Sequence, residues 1–256
     1  MKDIEAIAVL QDPVRRRLYE YVVAQGREVG RNEAAEAAGV ARTLAAHHLD
    51  RLTDAGLLES GSRRLTGRTG PGAGRPAKVY RRVPAELSVS LPARDYRTAA
   101  ELLAEAAEEA GLDAGLCAGA RRRGEALRGS AAPCADLDAA VRVLAARGYE
   151  PHVEEEVRGA AKDVGRGVEK AKDVGSGVET AESVPGEAAG VQTVRVVRMR
   201  NCPFHAVAER FPPLVCGMNL ALLEGLLGVD GPVRARMDAR PGECCVVVEE
   251  SKNNEH

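Results

Sequence analysis

Arg42-Thr43-Leu44-Ala45-Ala46-His47-His48-Leu49-Asp50-Arg51-Leu52-Thr53-Asp54, then Ala55-Gly56-Leu57-Leu58-Glu59-Ser60, is the stretch on which the fold turns. Leu44, His48, Leu49 and Leu52 recur at helical spacing and define one face. Arg42, Thr43, Ala46, His47 and Asp50 lie towards the other. Gly56 ends the helix as a C-cap residue would. Upstream, Arg31 to Ala38 reads as a short helix closed by Gly39. Before it, Asp12-Pro13 opens another helix in N-cap then N1 order, and Gly26 closes that one. A short helix, a glycine turn and a longer helix in succession predict a helix-turn-helix.

Downstream, Leu57 to Ser60 reads as a strand and Ala77 to Arg81 as its partner. The segment between them is too rich in Gly and Pro for regular structure. From Ser60 to Ala85 there are seven basic residues and no acidic one. A hairpin with a basic tip directly after a helix-turn-helix is a wing. Residues 1–95 carry 16 basic and 12 acidic residues, whereas the rest of the 256-residue chain carries 20 and 26. The whole is nearly neutral, at −2, which excludes a globally basic nucleic-acid coat but not a local basic patch. Aromatic residues are only 3%, too few for a single-strand stacking platform. Double-stranded DNA is therefore the expected partner. Arg42, Thr43, His47 and Arg51 are placed on the exposed side of the second helix, at base edges. Arg63, Arg64, Arg68, Arg75 and Lys78 are placed in the wing, at phosphates or the minor groove. His48 is expected as a packed, hydrogen-bonded core residue.

Thr98 to Ala110 and Leu112 to Leu127 read as two helices rich in Ala and Leu. They are either a linker pair packed on the C-terminal part or a dimer interface. A homodimer is expected, since helix-turn-helix proteins usually read two half-sites. A tandem decapeptide, AKDVGRGVEK then AKDVGSGVET at 161–180, falls between strand candidates His152–Arg158 and Val191–Met199. It reads as a loop expansion, with the loop spanning 159–190. From Leu137 onward the pattern is helix, two strands, two helices, two strands. The fold class is thus α+β, in three parts. A winged helix-turn-helix occupies 1–95, a helical segment 96–130, and a C-terminal α+β sensor domain 131–256.

Cys202, Cys216 and the pair Cys244-Cys245 sit at element boundaries, with 13 and 27 residues in the two gaps. Thiolates at such boundaries suit an iron–sulfur cluster or zinc, and free Cys also serves as a small core hydrophobe. Cys216, near a helix start, is expected to have a lowered thiol pKa. Cys117 and Cys134 have no second ligand at metal spacing. The N-terminus lacks the apolar run of a secretory signal and no long apolar span occurs. A cytoplasmic protein with reduced thiols and no membrane segment is therefore expected.

Taken together, these residues resemble a family. His48-Leu49-Asp50-Arg51-Leu52 with Ala55-Gly56-Leu57-Leu58 is similar to the recognition helix and exit of ArsR-type winged helix regulators. Gly74 to Arg81, GRPAKVYR, is similar to the wing of the SufR-like branch. Asn201-Cys202-Pro203-Phe204-His205, the later Leu214-Val215-Cys216 and the late Cys-Cys pair resemble the C-terminal region of that branch. The resemblance implies an iron–sulfur cluster on Cys202, Cys216 and one of Cys244 or Cys245, with DNA affinity following cluster state. The family's further cysteine between Cys216 and Cys244 is absent here. His205 and Asp230 are the candidate fourth ligands. Zinc or a small molecule is the alternative signal. A thiol-dependent enzyme, with His205 as base for Cys202, is the third reading, and it lacks an orienting group or oxyanion motif. The chain is accordingly not expected to be an enzyme.

Overall fold

A computed structural model describes residues 2–63, 76–158 and 192–251. The chain divides into two units, Met1–Tyr96 and Arg97–His256.

The first unit opens with α1 (Lys2–Ala8) and a single 3-10 turn (Val9–Gln11). In α2 (Pro13–Gln25), the Asp12 carboxylate accepts from the N–H groups of Val14 and Arg15, both at 2.9 Å. Gly26 closes α2 at φ 61°, a left-handed conformation that favours glycine. Next come β1 (Val29–Gly30), α3 (Arg31–Ala38) and α4 (Arg42–Asp54). Gly39, at φ 65°, makes the tight turn after α3. The hairpin β2 (Leu58–Arg63) and β3 (Ala77–Arg82) follows, and β3 lies between β1 and β2 in an antiparallel sheet. β1 is too short to leave a periodic signal in the sequence. Leu18, Val22, Val29, Ala34, Leu49, Leu52, Leu58 and Tyr80 form one core.

The face of α4 differs from expectation in one register. Ala45, Leu49 and Leu52 are buried, at 4-then-3 spacing, while Leu44 is 41% exposed. Ala45 is buried with Ala34, Ala35 and Ala38 of α3 in one core. His48 is half-buried, and its Nδ1 is buried without a hydrogen-bond partner. It is thus not the hydrogen-bonded core histidine expected. Burial pushes its pKa down.

The second unit contains α5 (Tyr96–Glu109, starting at the boundary), α6 (Asp113–Arg128), α7 (Leu137–Ala145), β4 (Pro151–Arg158), β5 (Gln192–Met199), α8 (His205–Ala208), α9 (Pro212–Leu227), β6 (Val233–Met237) and β7 (Val246–Glu250). The strands form an antiparallel sheet in the order β4-β5-β7-β6. Strand side chains alternate between faces. On one face Val197, Met199, Val233, Val246 and Val248 pack with Leu137 and Leu144 of α7 and with Leu223, Leu226 and Leu227 of α9. On the other, Arg198 lies buried among Glu154, Glu156 and Asp238. Of the two middle helices, α6 packs along α9, so closely that Gly124 meets the α9 backbone. Arg121 pairs with Glu224 across this contact. The decapeptide repeat lies outside the described residues. None of the helices among the described residues is long and apolar enough to cross a membrane.

Candidate nucleic-acid interface and cysteine site

The glycine turn after α3 sets the N-terminus of α4 outward, and the buried Ala45–Leu49–Leu52 stripe decides which face remains free. Arg42, Thr43, His47 and Arg51 are all exposed on α4. Arg63 is exposed on β2 and pairs with Glu28 at 3.6 Å. Arg64, Arg68 and Arg75 lie outside the described residues. Between α3, the start of α4 and the hairpin lies a cleft of about 860 Å³, lined in part by Arg27, Arg31, Arg42, Arg63 and Lys78 and by Glu28 and Glu33, which pair with Arg63 and Arg27. The excess of basic over acidic groups suits a phosphate backbone.

Lys78 has a second role that the sequence did not suggest. Its ammonium is held 2.7 Å from Asp50 Oδ1 on α4. The Tyr80 hydroxyl donates to the same oxygen at 2.6 Å, and Arg31 reaches Asp50 Oδ2 at 3.3 Å while donating to the Tyr80 oxygen at 2.9 Å. Burial works against the Asp50 carboxylate, but bonds from Lys78 and Tyr80 outweigh it and hold its pKa low. Burial pushes the Tyr80 phenol up to about 12. One carboxylate thus joins α3, α4 and the wing strand. Asp50→Ala leaves the buried Tyr80 hydroxyl without its acceptor and is expected to cost about 1–3 kcal/mol. Urea unfolding of the full chain checks this. In combination with Tyr80→Phe the cost should be less than additive, because the two share one bond.

In the second unit, chain topology brings four cysteines together. β5 and β7 are antiparallel neighbours, so the segment leaving β5 and the segment entering β7 meet at one end of the sheet. The Cys244 N–H donates to the Met199 carbonyl at 2.9 Å, which sets Cys244 beside the exit of β5 where Cys202 lies. β7 starts at Val246, leaving both Cys244 and Cys245 in the approach to the strand. Cys216, the fifth residue of α9, faces them, and its thiol lies 2.9 Å from Cys245 Sγ. The neighbouring Cys244 thiol holds Cys202 below the ordinary thiol range against the opposing effect of burial, and Cys202 in turn pushes Cys244 up. Burial raises Cys216 to about 12. The lowered value expected from the start of α9 is therefore corrected: removal from water and the neighbouring Cys245 outweigh the helix dipole.

The other candidate ligands are not brought in. His205 is exposed and pairs with Glu209 at 3.2 Å. Asp230 is exposed beyond the far end of α9. Thirteen residues of largely helical chain lie between it and Cys216, about 20 Å at 1.5 Å per residue. As the side chains stand, neither is brought to this group. Cys134 is buried near the C-terminal end of α9, its N–H donating to the Leu227 carbonyl, and Cys117 sits on α6.

Four soft sulfurs are of the donor type that suits a thiophilic group. As the side chains stand, no three or more His, Cys, Asp or Glu among the described residues are arranged to enclose a metal ion. Cys216 and Cys245 are in direct thiol contact, whereas two sulfurs 2.3 Å from one tetrahedral metal lie about 3.8 Å apart. The thiol contact of Cys216 and Cys245 is that of protonated thiols.

No curated protein and no solved structure matches the chain. Residues 10–61, which run from the turn before α2 into β2, match a family model described as a helix-turn-helix domain. Match and geometry agree that the first unit carries a helix-turn-helix domain, the mark of a DNA-binding regulator.

Proposed function

We propose that this chain is a homodimeric transcriptional regulator of the SufR-like kind. In this reading its winged helix-turn-helix binds double-stranded DNA, and Cys202, Cys216, Cys244 and Cys245 report iron–sulfur or redox state. The meeting of four cysteines from three distant segments is the observation that carries the sensing half. The exposed basic residues on α4 and around the cleft carry the DNA half. A cluster would be held by these four sulfurs and would supply a reversible one-electron couple. The chain's own residues do the rest. Arg42, Thr43 and His47 face base edges, Arg63 and the wing arginines face phosphates, and α9 carries Cys216 into the core. Two copies would set their α4 helices on half-sites roughly one helical turn apart. The exposed Leu102 and Leu103 of α5 support association of copies. Structural zinc on the same sulfurs is the second reading, favoured by the four-thiol donor set.

The test is anaerobic purification of the full chain with metal analysis, followed by selection of bound sequences from random duplexes. A brown protein containing iron and sulfide, whose affinity for the selected duplex changes when the cluster is lost, is the expected result. A colourless protein with one zinc per chain supports the second reading. On the selected duplex, Arg42→Ala is expected to cost about 1–3 kcal/mol and relax preference at one half-site position. Arg63→Ala should weaken binding to every sequence and flatten the salt dependence. Unchanged affinity in both variants would remove α4 and the wing from the interface.

A further inference from the structure

Cys216 and Cys245 are in direct thiol contact, Sγ to Sγ at 2.9 Å. A disulfide bond is about 2.05 Å long, so the two sulfurs stand about 1 Å from bonding distance. They come from positions 29 residues apart, and both carriers are held. Cys216 lies in the second turn of α9, a helix packed on the sheet. The Cys245 carbonyl accepts from the Asp238 N–H at 2.8 Å, and the preceding Cys244 N–H donates to the Met199 carbonyl at 2.9 Å. The contact is therefore set by a helix and by the ends of β5 and β6.

The geometry also selects among the possible pairs. Asn219, one turn further along α9, has its Nδ2 3.4 Å from Cys244 Sγ. One face of α9 thus meets Cys245 through Cys216 and Cys244 through Asn219, which fixes the helix register against the two adjacent cysteines. Cys244 and Cys245 are poorly suited to each other. Consecutive Cα atoms lie about 3.8 Å apart, short of the usual disulfide span of about 4.4–6.8 Å. Cys216 is buried, whereas Cys245 is half-buried. Of the contacting pair, Cys245 is the sulfur that a molecule from solvent meets first.

We infer that Cys216 and Cys245 are a thiol pair that exchanges with small-molecule disulfides and closes one reversible bond between α9 and the approach to β7. The Cys245 sulfur, as thiolate, attacks one sulfur of the small disulfide, and the first small thiol leaves with the proton. Cys216 then attacks the Cys245 sulfur of the mixed disulfide, and the second small thiol leaves with the second proton. The protein pair loses two electrons and two protons, and the small disulfide gains them. Neither step draws on a metal. The second step joins sulfurs already in contact, which acts as a high effective concentration. Closure is therefore favoured over a lasting mixed disulfide. This deepens the redox half of the proposed function and rests on it for any consequence at DNA.

The test uses the full chain, reduced and stripped of metal by a chelator, then equilibrated at fixed pH and fixed glutathione with increasing glutathione disulfide. After acid quenching and alkylation of the remaining thiols, peptide mass analysis with fragmentation reads the linkages. A peptide pair linked through Cys216 and Cys245 is the expected product. In Cys216→Ser the same treatment should leave glutathione on Cys245. Half-modification there should need about 10–100-fold more glutathione disulfide than half-closure of the wild-type bond. Absence of the Cys216–Cys245 link across the whole range overturns the inference. So does a link of either sulfur to Cys202 or Cys244 in its place, or an equal requirement in wild type and variant.

The pair and the reading it deepens fail separately. If the bond forms and affinity for the selected duplex is the same with and without it, the thiol pair stands and the redox half of the proposed function falls. If the bond does not form, the pair falls, whatever iron or zinc the anaerobic protein contains.

Discussion

Replacing Gly124 by Ala is expected to destabilise the second unit by about 3 kcal/mol, at the upper end of the range for overpacking. A methyl group there would sit 2.1 Å from the Leu222 carbonyl oxygen and 2.7 Å from the Leu226 nitrogen. On the facing helix, a methyl at Gly225 would lie 2.2 Å from the Arg121 carbonyl oxygen. All three obstacles are backbone atoms, so no side-chain rotation relieves them and α6 must move off α9. Helix propensity works the other way, since Gly to Ala inside a helix gains about 1 kcal/mol. The clash outweighs that gain. Gly119, on the same helix, supplies the control, because a methyl there meets only the Arg122 side chain at 3.7 Å. Gly119→Ala should stabilise by about 0.4–1 kcal/mol. Opposite signs in urea unfolding are the expected result, and equal behaviour of the two variants would contradict the close crossing.

The second large effect concerns Arg198, whose side chain is 1% exposed. Its guanidinium donates to Glu154 at 2.7 Å and to Glu156 and Asp238 at 2.6 Å, and also to the Asp238 carbonyl at 3.1 Å. Arg236 and Arg240 pair with the same carboxylates. Arg198→Ala leaves the half-buried carboxylates short of a cation and is expected to cost about 3–5 kcal/mol. Arg198→Lys should restore little of this, because a single ammonium cannot reproduce a fork with several simultaneous bonds.

The pH dependence follows from Asp238. Burial opposes its carboxylate, but hydrogen bonds from Arg236 and Arg198 outweigh that and hold its pKa below the ordinary value. A depressed folded-state pKa contributes stability that is fully present above the unfolded value, about 3.9. That contribution is lost as pH falls through the folded value. Acid unfolding of the wild type should therefore steepen below about pH 4. Arg198→Met should flatten that limb, and an unchanged acid limb in this variant would show that the network does not stabilise the carboxylates.

How far the sequence could be read depended on the range of the interactions. Asp12-Pro13, Gly26, Gly39 and the apolar spacing of α4 act within one or two turns, and each was legible as a cap, a turn or a face. The misplacement of Leu44 shows the limit of the same reasoning: spacing allows neighbouring registers, and only packing in the tertiary core selects Ala45 over Leu44. Asp50 read as one more polar residue on the outer side of a helix. Its partners Arg31, Lys78 and Tyr80 are distant along the chain, so its role in tying the wing to α4 left no local trace.

The cysteines divide along the same line. Their residue type and their places at element boundaries were visible in the sequence, and so was the chemistry four thiols can support. Which of them meet was decided by the antiparallel neighbourhood of β5 and β7 and by the direction in which α9 crosses the sheet. That crossing brings Cys216 to Cys245, carries Asp230 to the opposite end, and leaves His205 facing water. The glycines at 124 and 225 looked like interruptions in two helices, because a missing side chain gains meaning only from the backbone that comes to fill its place. Local backbone preference and hydrophobic period are properties of neighbouring residues, so the sequence by itself determined the helix-turn-helix, the wing and the α+β class. Burial, ion pairing and thiol contact arise between residues far apart in the chain, and only the tertiary structure decided them.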